Sequence, residues 1–188
     1  MTFPTDDVRL ETPRLLLRPL AAADRDALFA IYADARVARY GSRPPWTSPD
    51  EAAAYIAKDA GQRAAGEFVR FAIERREDRA LVGVCTLFEH DAECRRAEIG
   101  YGLGPDAWGH GYAREAVGRL LDHGFGALRL NRVEADVDPR NDASLRLLER
   151  LGFRREGLLR ERWIVAGEKS DSVIFGLLAS ERPQPAAT

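Results

Sequence analysis

The chain has 188 residues, 45% hydrophobic and 31% charged, with a formal net charge of −2. This length and composition suit one globular domain with a full hydrophobic core and exclude a disordered chain. The charge leaves no electrostatic footprint for nucleic acid, and no apolar run reaches the roughly 20 residues that span a bilayer.

Residues 1–20 hold no signal-type apolar stretch, so the expected setting is cytoplasmic, without nucleic-acid or membrane partners. Cys85 and Cys94 read as reduced thiols, and Cys and His are too few for a structural zinc site, so no metal is expected.

In chain order, Leu15-Leu16-Leu17-Arg18 ahead of Pro19 predicts a short strand. Residues 21–40 show helical spacing, with Leu28, Ile31, Tyr32 and Ala35 on one side and Asp24 near the start, where a carboxylate favours the dipole. Residues 41–49, with Pro44, Pro45 and Trp46, read as a loop. Ser48 then stands as N-cap of a second helix, with Pro49 in its first turn and Glu51 as capping-box partner, up to Gly66. Residues 68–75 and 81–89 predict a hairpin, and residues 97–103 the next strand. A helix to about residue 128 follows, its apolar stripe being Ala113, Ala116, Val117, Leu120, Leu121 and Phe125. The histidines read blandly: none is assigned a catalytic role, and His123 is placed on the polar side of the helix.

Residues 132–138 alternate, with Val133, Ala135 and Val137 on one face, and Pro139 ends that strand. Residues 141–151 predict a short helix closed by Gly152, and residues 153–165 and 172–179 the last two strands. The domain is expected to occupy residues 1–180, leaving 181–188 as a tail without structure. The order is strand, two helices, three strands, helix, strand, helix, two strands. A strand–helix–strand crossover of this kind joins parallel strands.

Gly109 and Gly111 stand where the strand 97–103 gives way to the long helix. Such a turn gathers unpaired backbone N–H groups at the positive end of a helix dipole, an arrangement that binds phosphate-type anions, a purely structural turn being the alternative. The P-loop pattern fails for want of its lysine. The dinucleotide pattern fails because Pro105 follows Gly102 and Gly104, and because Gly109-x-Gly111 lacks a third glycine.

Trp108-Gly109-His110-Gly111-Tyr112-Ala113 resembles the acyl-CoA pyrophosphate loop of the GNAT N-acetyltransferase superfamily, (Q/R)-x-x-G-x-(G/A), in the spelling of the RimJ/RimL-like branch, with Trp108 in place of Gln or Arg. Thr12-Pro-Arg-Leu-Leu-Leu-Arg18, Ala97-Glu-Ile-Gly-Tyr101, Asn141-Asp-Ala-Ser144, Leu151-Gly-Phe153 and Gly167 with Asp171 carry the same resemblance over residues 10–179. It implies an α/β (α+β) GNAT fold: a mixed, mostly antiparallel twisted sheet of about seven strands and about four helices, with splayed central strands holding acyl-CoA. The implied co-substrate is acetyl-CoA, without metal. The implied activity is acetyl transfer to a primary amine, in the RimJ/RimL-like branch a protein or peptide N-terminal α-amine. A small-molecule amine is one alternative and a non-catalytic acyl-CoA-binding domain another. Monomer and homodimer stay open.

Within that frame, cofactor contacts fall to Trp108, Gly109, His110, Gly111, Tyr112, Ala113 and Arg114, with a backbone N–H near Leu103 facing the thioester oxygen and the Asn141 side chain at the pantetheine. Glu98 shares a strand side with Gly100 and Gly102, which leave room for a substrate amine, and burial would raise its pKa toward that of a general base. The structural alternative pairs Glu98 with Arg95 or Arg96. The superfamily's tyrosine acid is matched by Leu148, so the resemblance passes protonation of the leaving sulfur to Ser144, whose alternative role is a helix first-turn hydrogen bond. Tyr40 and Trp46, with Tyr55, are placed at the acceptor pocket, core packing being the alternative for each.

Overall fold

The computed structural model describes residue 3 and residues 8–182. Eight strands form one sheet: β1 (Leu10–Glu11), β2 (Leu15–Arg18), β3 (Val69–Arg75), β4 (Leu81–Asp91), β5 (Arg96–Leu103), β6 (Arg132–Val137), β7 (Arg154–Val165) and β8 (Glu168–Leu178). Their order is β1-β2-β3-β4-β5-β6-β8-β7. Every pairing is antiparallel except β5 with β6, which are joined through α4 (Tyr112–Phe125). The mixed sheet and its one parallel crossover follow the expected fold. The eighth strand is the two-residue β1, too short for periodicity to register. Among the described residues no helix is long and apolar enough to cross a membrane.

Strand alternation divides the core. On one face Leu15, Leu17, Ile73, Leu87 and Leu177 meet Leu120 and Leu121 of α4 and Leu148 of α5 (Asp142–Arg150), all fully buried. Truncating one such leucine to alanine costs about 2–5 kcal/mol. On the other face Ala72 and Val84 pack with Leu28 of α1 (Arg25–Ala33) and with Ala52 and Ile56 of α3 (Pro49–Ala64). Ser48 caps α3 as expected: its Oγ accepts from the Asp50 N–H at 3.2 Å, while Glu51 accepts from the Ser48 N–H at 3.2 Å.

The single helix expected over residues 21–40 is broken into a 3₁₀ turn (Ala22–Asp24), α1 and α2 (Ala35–Ala38). Asp34 is extended at φ −73°, ψ 119°, and its carboxylate accepts from the Arg36 N–H at 2.8 Å, an N-cap bond that competes with the helix ladder. The Tyr32 carbonyl, which a continuing helix would use, accepts instead from the Trp46 N–H at 3.0 Å. Apolar spacing says nothing of either bond.

Two further expectations are corrected. His123 is buried, edge-on to Phe71 at 6.3 Å, not on the polar side of α4. Residues Glu181 and Arg182 are not part of a free tail: Glu181 ends a 3₁₀ turn, and Arg182 binds Asp122 at 2.6 Å and the Gly118 carbonyl at 2.8 Å. The rest of that segment, 183–188, lies outside the described residues.

Candidate active site

β5 and β6 run together for three residue pairs, Arg96 with Arg132, Ala97 with Val133 and Glu98 with Glu134, and then part. Beyond that point β5 stays with β4, down to Leu103 opposite Gly83, while β6 stays with β8 along its whole length. Each strand follows its antiparallel partner, so residues 99–103 of β5 face a wedge instead of a neighbour. Gly104 donates its N–H to the Val82 carbonyl at 3.0 Å. Antiparallel alternation therefore turns the backbone of Leu103 away from β4, toward the wedge. A peptide-like arm could pair there as an added strand.

The Leu103 carbonyl is already engaged: it accepts from the Trp108 indole N–H at 2.8 Å. Trp108, 46% exposed, thus ties the glycine turn to the end of β5. Gly109 and Gly111 both hold left-handed backbone, φ +78° and +77°, which side-chain-bearing residues adopt at a cost. Gly111 is the N-cap of α4 and supplies no side-chain bond, so the first-turn N–H groups at Tyr112, Ala113 and Arg114 have no intrahelical partner. A Cβ at Gly109 would meet nothing within 4 Å. The space beside the turn is open, and its donors and dipole suit a pyrophosphate. The His110 ring stacks on Tyr112, with centroids 5.6 Å apart.

Glu98 lies where the wedge opens. Among the described residues no arginine lies within ion-pair distance of it; Arg96 pairs with Glu134 at 2.9 Å instead. Burial raises its pKa to about 7, helped by the charges of Asp136, Glu89 and Glu134 and opposed by Arg162. Asp136 takes the Trp163 indole N–H at 3.2 Å. Beside Glu98 the glycines are floor, not filler: a Cβ at Gly100 would sit 3.3 Å from Phe88, and one at Gly102 would sit 3.8 Å from the Tyr32 hydroxyl. This carboxylate can accept a proton from a cation entering over Gly100.

On the opposite face, Ser144 lies in the first turn of α5. Its N–H donates to the Asn141 side chain at 3.1 Å, and its hydroxyl lies 2.6 Å from the Tyr101 hydroxyl. The Asn141 cap and the first-turn serine are therefore local structure as well as polar groups beside the wedge. Leu148 is fully buried in the core. Trp46, 8% exposed, packs against Tyr32 and Tyr55 at 4.7 and 5.5 Å between centroids. Arg70 covers the Tyr55 ring at 4.5 Å and pairs with buried Asp59 at 3.0 Å. Trp46 is thus held in an aromatic cluster, and Tyr32 of that cluster reaches Gly102. Tyr40 is half-buried beneath the Arg39 guanidinium, which lies 5.2 Å from its ring centroid.

Sequence reasoning leaves Tyr101, Asp136, Tyr32 and the Thr12–Arg14–Glu115 group without roles. Tyr101 is within its reach, since alternation opposite Glu98 points it toward the α5 side. The partners of Arg14 lie about a hundred positions away, and no local spacing announces them.

The family model described as an acetyltransferase (GNAT) domain matches residues 14–154. The uncharacterized N-acetyltransferase p20 of Bacillus licheniformis is 40% identical over 172 residues, covering 92% of this chain and 97% of its own. The crystal structure of a GNAT-family acetyltransferase from Bacillus anthracis superposes with a TM-score of 0.83 at 26% identity, covering 93% of this chain and all of its own. Spermidine N-acetyltransferase from Vibrio cholerae, solved with CoA and spermine, gives a TM-score of 0.80 at 27% identity, covering 90% of this chain and 98% of its own. A sheet parted beside an open glycine turn, in a chain so matched, makes this protein a member of the GNAT acetyltransferase family, an N-acetyltransferase of the fold that binds acetyl-CoA.

Proposed function

We propose that this protein transfers the acetyl group of acetyl-CoA to the N-terminal α-amine of a protein or peptide, in the manner of the RimJ/RimL-like branch. The observation that carries the reading is the Glu98 carboxylate, which has no arginine partner among the described residues, shares its side of β5 with Gly100 and Gly102, and has a pKa raised to about 7. An α-ammonium titrates at about 7.7–8.0 and an alkylammonium of lysine type at about 10.4. A base poised near the working pH suits proton abstraction, and an α-ammonium yields its proton to it more readily than a lysine-type ammonium does.

The remaining roles follow the chemistry. The N–H groups of residues 109–114 hold the pyrophosphate, Asn141 meets the pantetheine, and the Leu103 N–H polarises the thioester carbonyl. Glu98 takes the proton from the ammonium, the amine nitrogen bonds to the carbonyl carbon, and the C–S bond breaks. Ser144 supplies a proton to the departing sulfur and regains one from solvent, while the new amide nitrogen sheds its second proton through Glu98, which has released the first to solvent. Tyr40, Trp46, Gly100 and Gly102 border the acceptor side.

A polyamine or other small amine is the second reading. It is favoured by the carboxylates of Asp136, Glu134 and Glu89 around Glu98, and by the spermidine N-acetyltransferase likeness. Steady-state kinetics on peptides with free N-termini, their N-blocked counterparts and spermidine tests the choice. The free peptides are expected to give the highest kcat/KM. Efficient turnover of spermidine beside weak activity on every peptide would reverse the assignment.

A further inference from the structure

Thr12, Arg14 and Glu115 knot the β1–β2 turn to the first turn of α4. Glu115 is engaged on both oxygens: Oε1 accepts from the Thr12 hydroxyl at 2.6 Å and the Arg14 backbone N–H at 2.9 Å, and Oε2 from Arg14 Nε at 2.7 Å and Nη2 at 2.6 Å. Thr12 Oγ1 in turn accepts the Leu15 N–H at 2.8 Å. The remaining guanidinium arm, Nη1, donates to the His110 carbonyl at 2.9 Å, and the guanidinium lies 4.7 Å from the centroid of the Tyr112 ring.

His110 is the residue between the two left-handed glycines. A trans peptide carries its C=O and N–H in opposite directions. Gripping the His110 carbonyl therefore aims the Gly111 N–H away from Arg14. Glycine at position 111 offers little resistance to rotation of that peptide, and a rotated peptide would present a carbonyl oxygen where an anion needs a donor. Charge adds a second constraint. Glu115 sits in the first turn of the helix whose N-terminus would receive the anion, and its bare carboxylate would repel it. The fork of Arg14 neutralises that carboxylate and holds the loop in one stroke, which a lysine ammonium cannot match in geometry.

We propose that Arg14 is a positioning residue for acyl-CoA: it fixes the His110–Gly111 peptide in its anion-binding orientation and cancels the Glu115 charge. This inference rests on the reading of residues 109–114 as the pyrophosphate cradle. The Thr12-Pro-Arg14 segment, which lies about a hundred positions from the loop in the chain, thereby becomes part of the cofactor site.

The test compares acetyl-CoA with S-acetylpantetheine, which has the same thioester and no pyrophosphate. Arg14→Ala is expected to raise the KM and Kd for acetyl-CoA by about 10- to 100-fold, the scale of a lost charge-assisted hydrogen bond, with kcat at saturation little changed. The KM for S-acetylpantetheine should move less than about twofold, since that donor never meets the cradle. Arg14→Lys restores charge without the fork and should recover only part of the loss; it also serves if the alanine variant folds poorly. Equal losses with both donors, or an unchanged KM for acetyl-CoA, would overturn the proposal. Gly111→Asp keeps the two failures apart: if that variant still binds acetyl-CoA normally, the cradle itself is misread, whereas loss there with none at Arg14 sinks only the positioning role.

Discussion

The hydroxyls of Tyr101 and Ser144 lie 2.6 Å apart and join β5 to the first turn of α5 beside the wedge left where β6 departs. Burial pushes the Tyr101 phenol up to about 12, against the pull of its bond to Ser144, so it stays protonated at neutral pH. Either hydroxyl can donate in this bond; when Tyr101 does, Ser144 keeps its own proton for a third partner, and hydrogen bonds in series strengthen one another.

If that third partner is the leaving sulfur, Tyr101→Phe and Ser144→Ala should each lower kcat by roughly 10-fold. Both costs should grow with less acidic thiol leaving groups. The double variant should be little worse than Ser144→Ala alone, because groups acting as one unit are not additive. The measurement is kcat/KM across acetyl thioesters of graded thiol acidity. Additive losses, or losses indifferent to the thiol, would return both hydroxyls to a purely structural role.

Glu98→Gln should retain acetyl-CoA affinity and lose about 10²–10⁴-fold in turnover, the usual worth of a general base. The loss should shrink at high pH, where more acceptor is already neutral. In the parent enzyme the acid limb of kcat/KM should fall near pH 7, since Glu98 must be ionised to accept a proton. Asp136→Asn removes a negative neighbour, makes ionised Glu98 easier to hold, and should move that limb to lower pH. A profile for Asp136→Asn superimposable on the parent's would show that another group sets the limb.

The residues that announce themselves in sequence are those whose constraint is local. Ser48, Pro49 and Glu51 state a helix start by spacing alone, and Gly109 and Gly111 mark a turn that only glycine makes easily. Glu98 is legible because strand alternation places it with two glycines on one side. What escapes is what depends on distant partners. The break at Asp34 needs Trp46 to take the Tyr32 carbonyl, and the burial of His123 needs Phe71. Arg14 belongs to the loop only through Glu115 and His110. The parting of β5 from β6 is written in no single segment, because it arises from each strand's loyalty to a different antiparallel neighbour.

Gly111→Asp should abolish acetyl-CoA binding by placing a side chain and a negative charge at the head of α4. At φ +77° any side chain also costs backbone strain, so Gly111→Asn is the control: asparagine tolerates this region and carries no charge. Calorimetric titration should show the asparagine variant intermediate and the aspartate variant without measurable heat. Equal affinities for the two would mean that shape, not charge, governs the turn.

The Glu98 carboxylate also makes stability depend on pH. Its folded pKa is raised from 4.5 to about 7. Between those values the folded chain therefore binds more protons than the unfolded one. The sign follows from linkage: the stability associated with protonated Glu98 is fully present below about pH 4.5 and is lost as pH rises through about 7. Glutamine imitates the protonated carboxyl and abolishes the loss. Glu98→Gln should thus have a Tm a few degrees above the parent at about pH 8, solvent screening of the partly exposed group trimming the full linkage effect, and the difference should close by about pH 4. Scanning calorimetry of both proteins across that range measures it. A Glu98→Gln variant less stable than the parent at the alkaline end would mean that the carboxylate is ionised and paired in the folded protein, and its place as the base would fall with that result.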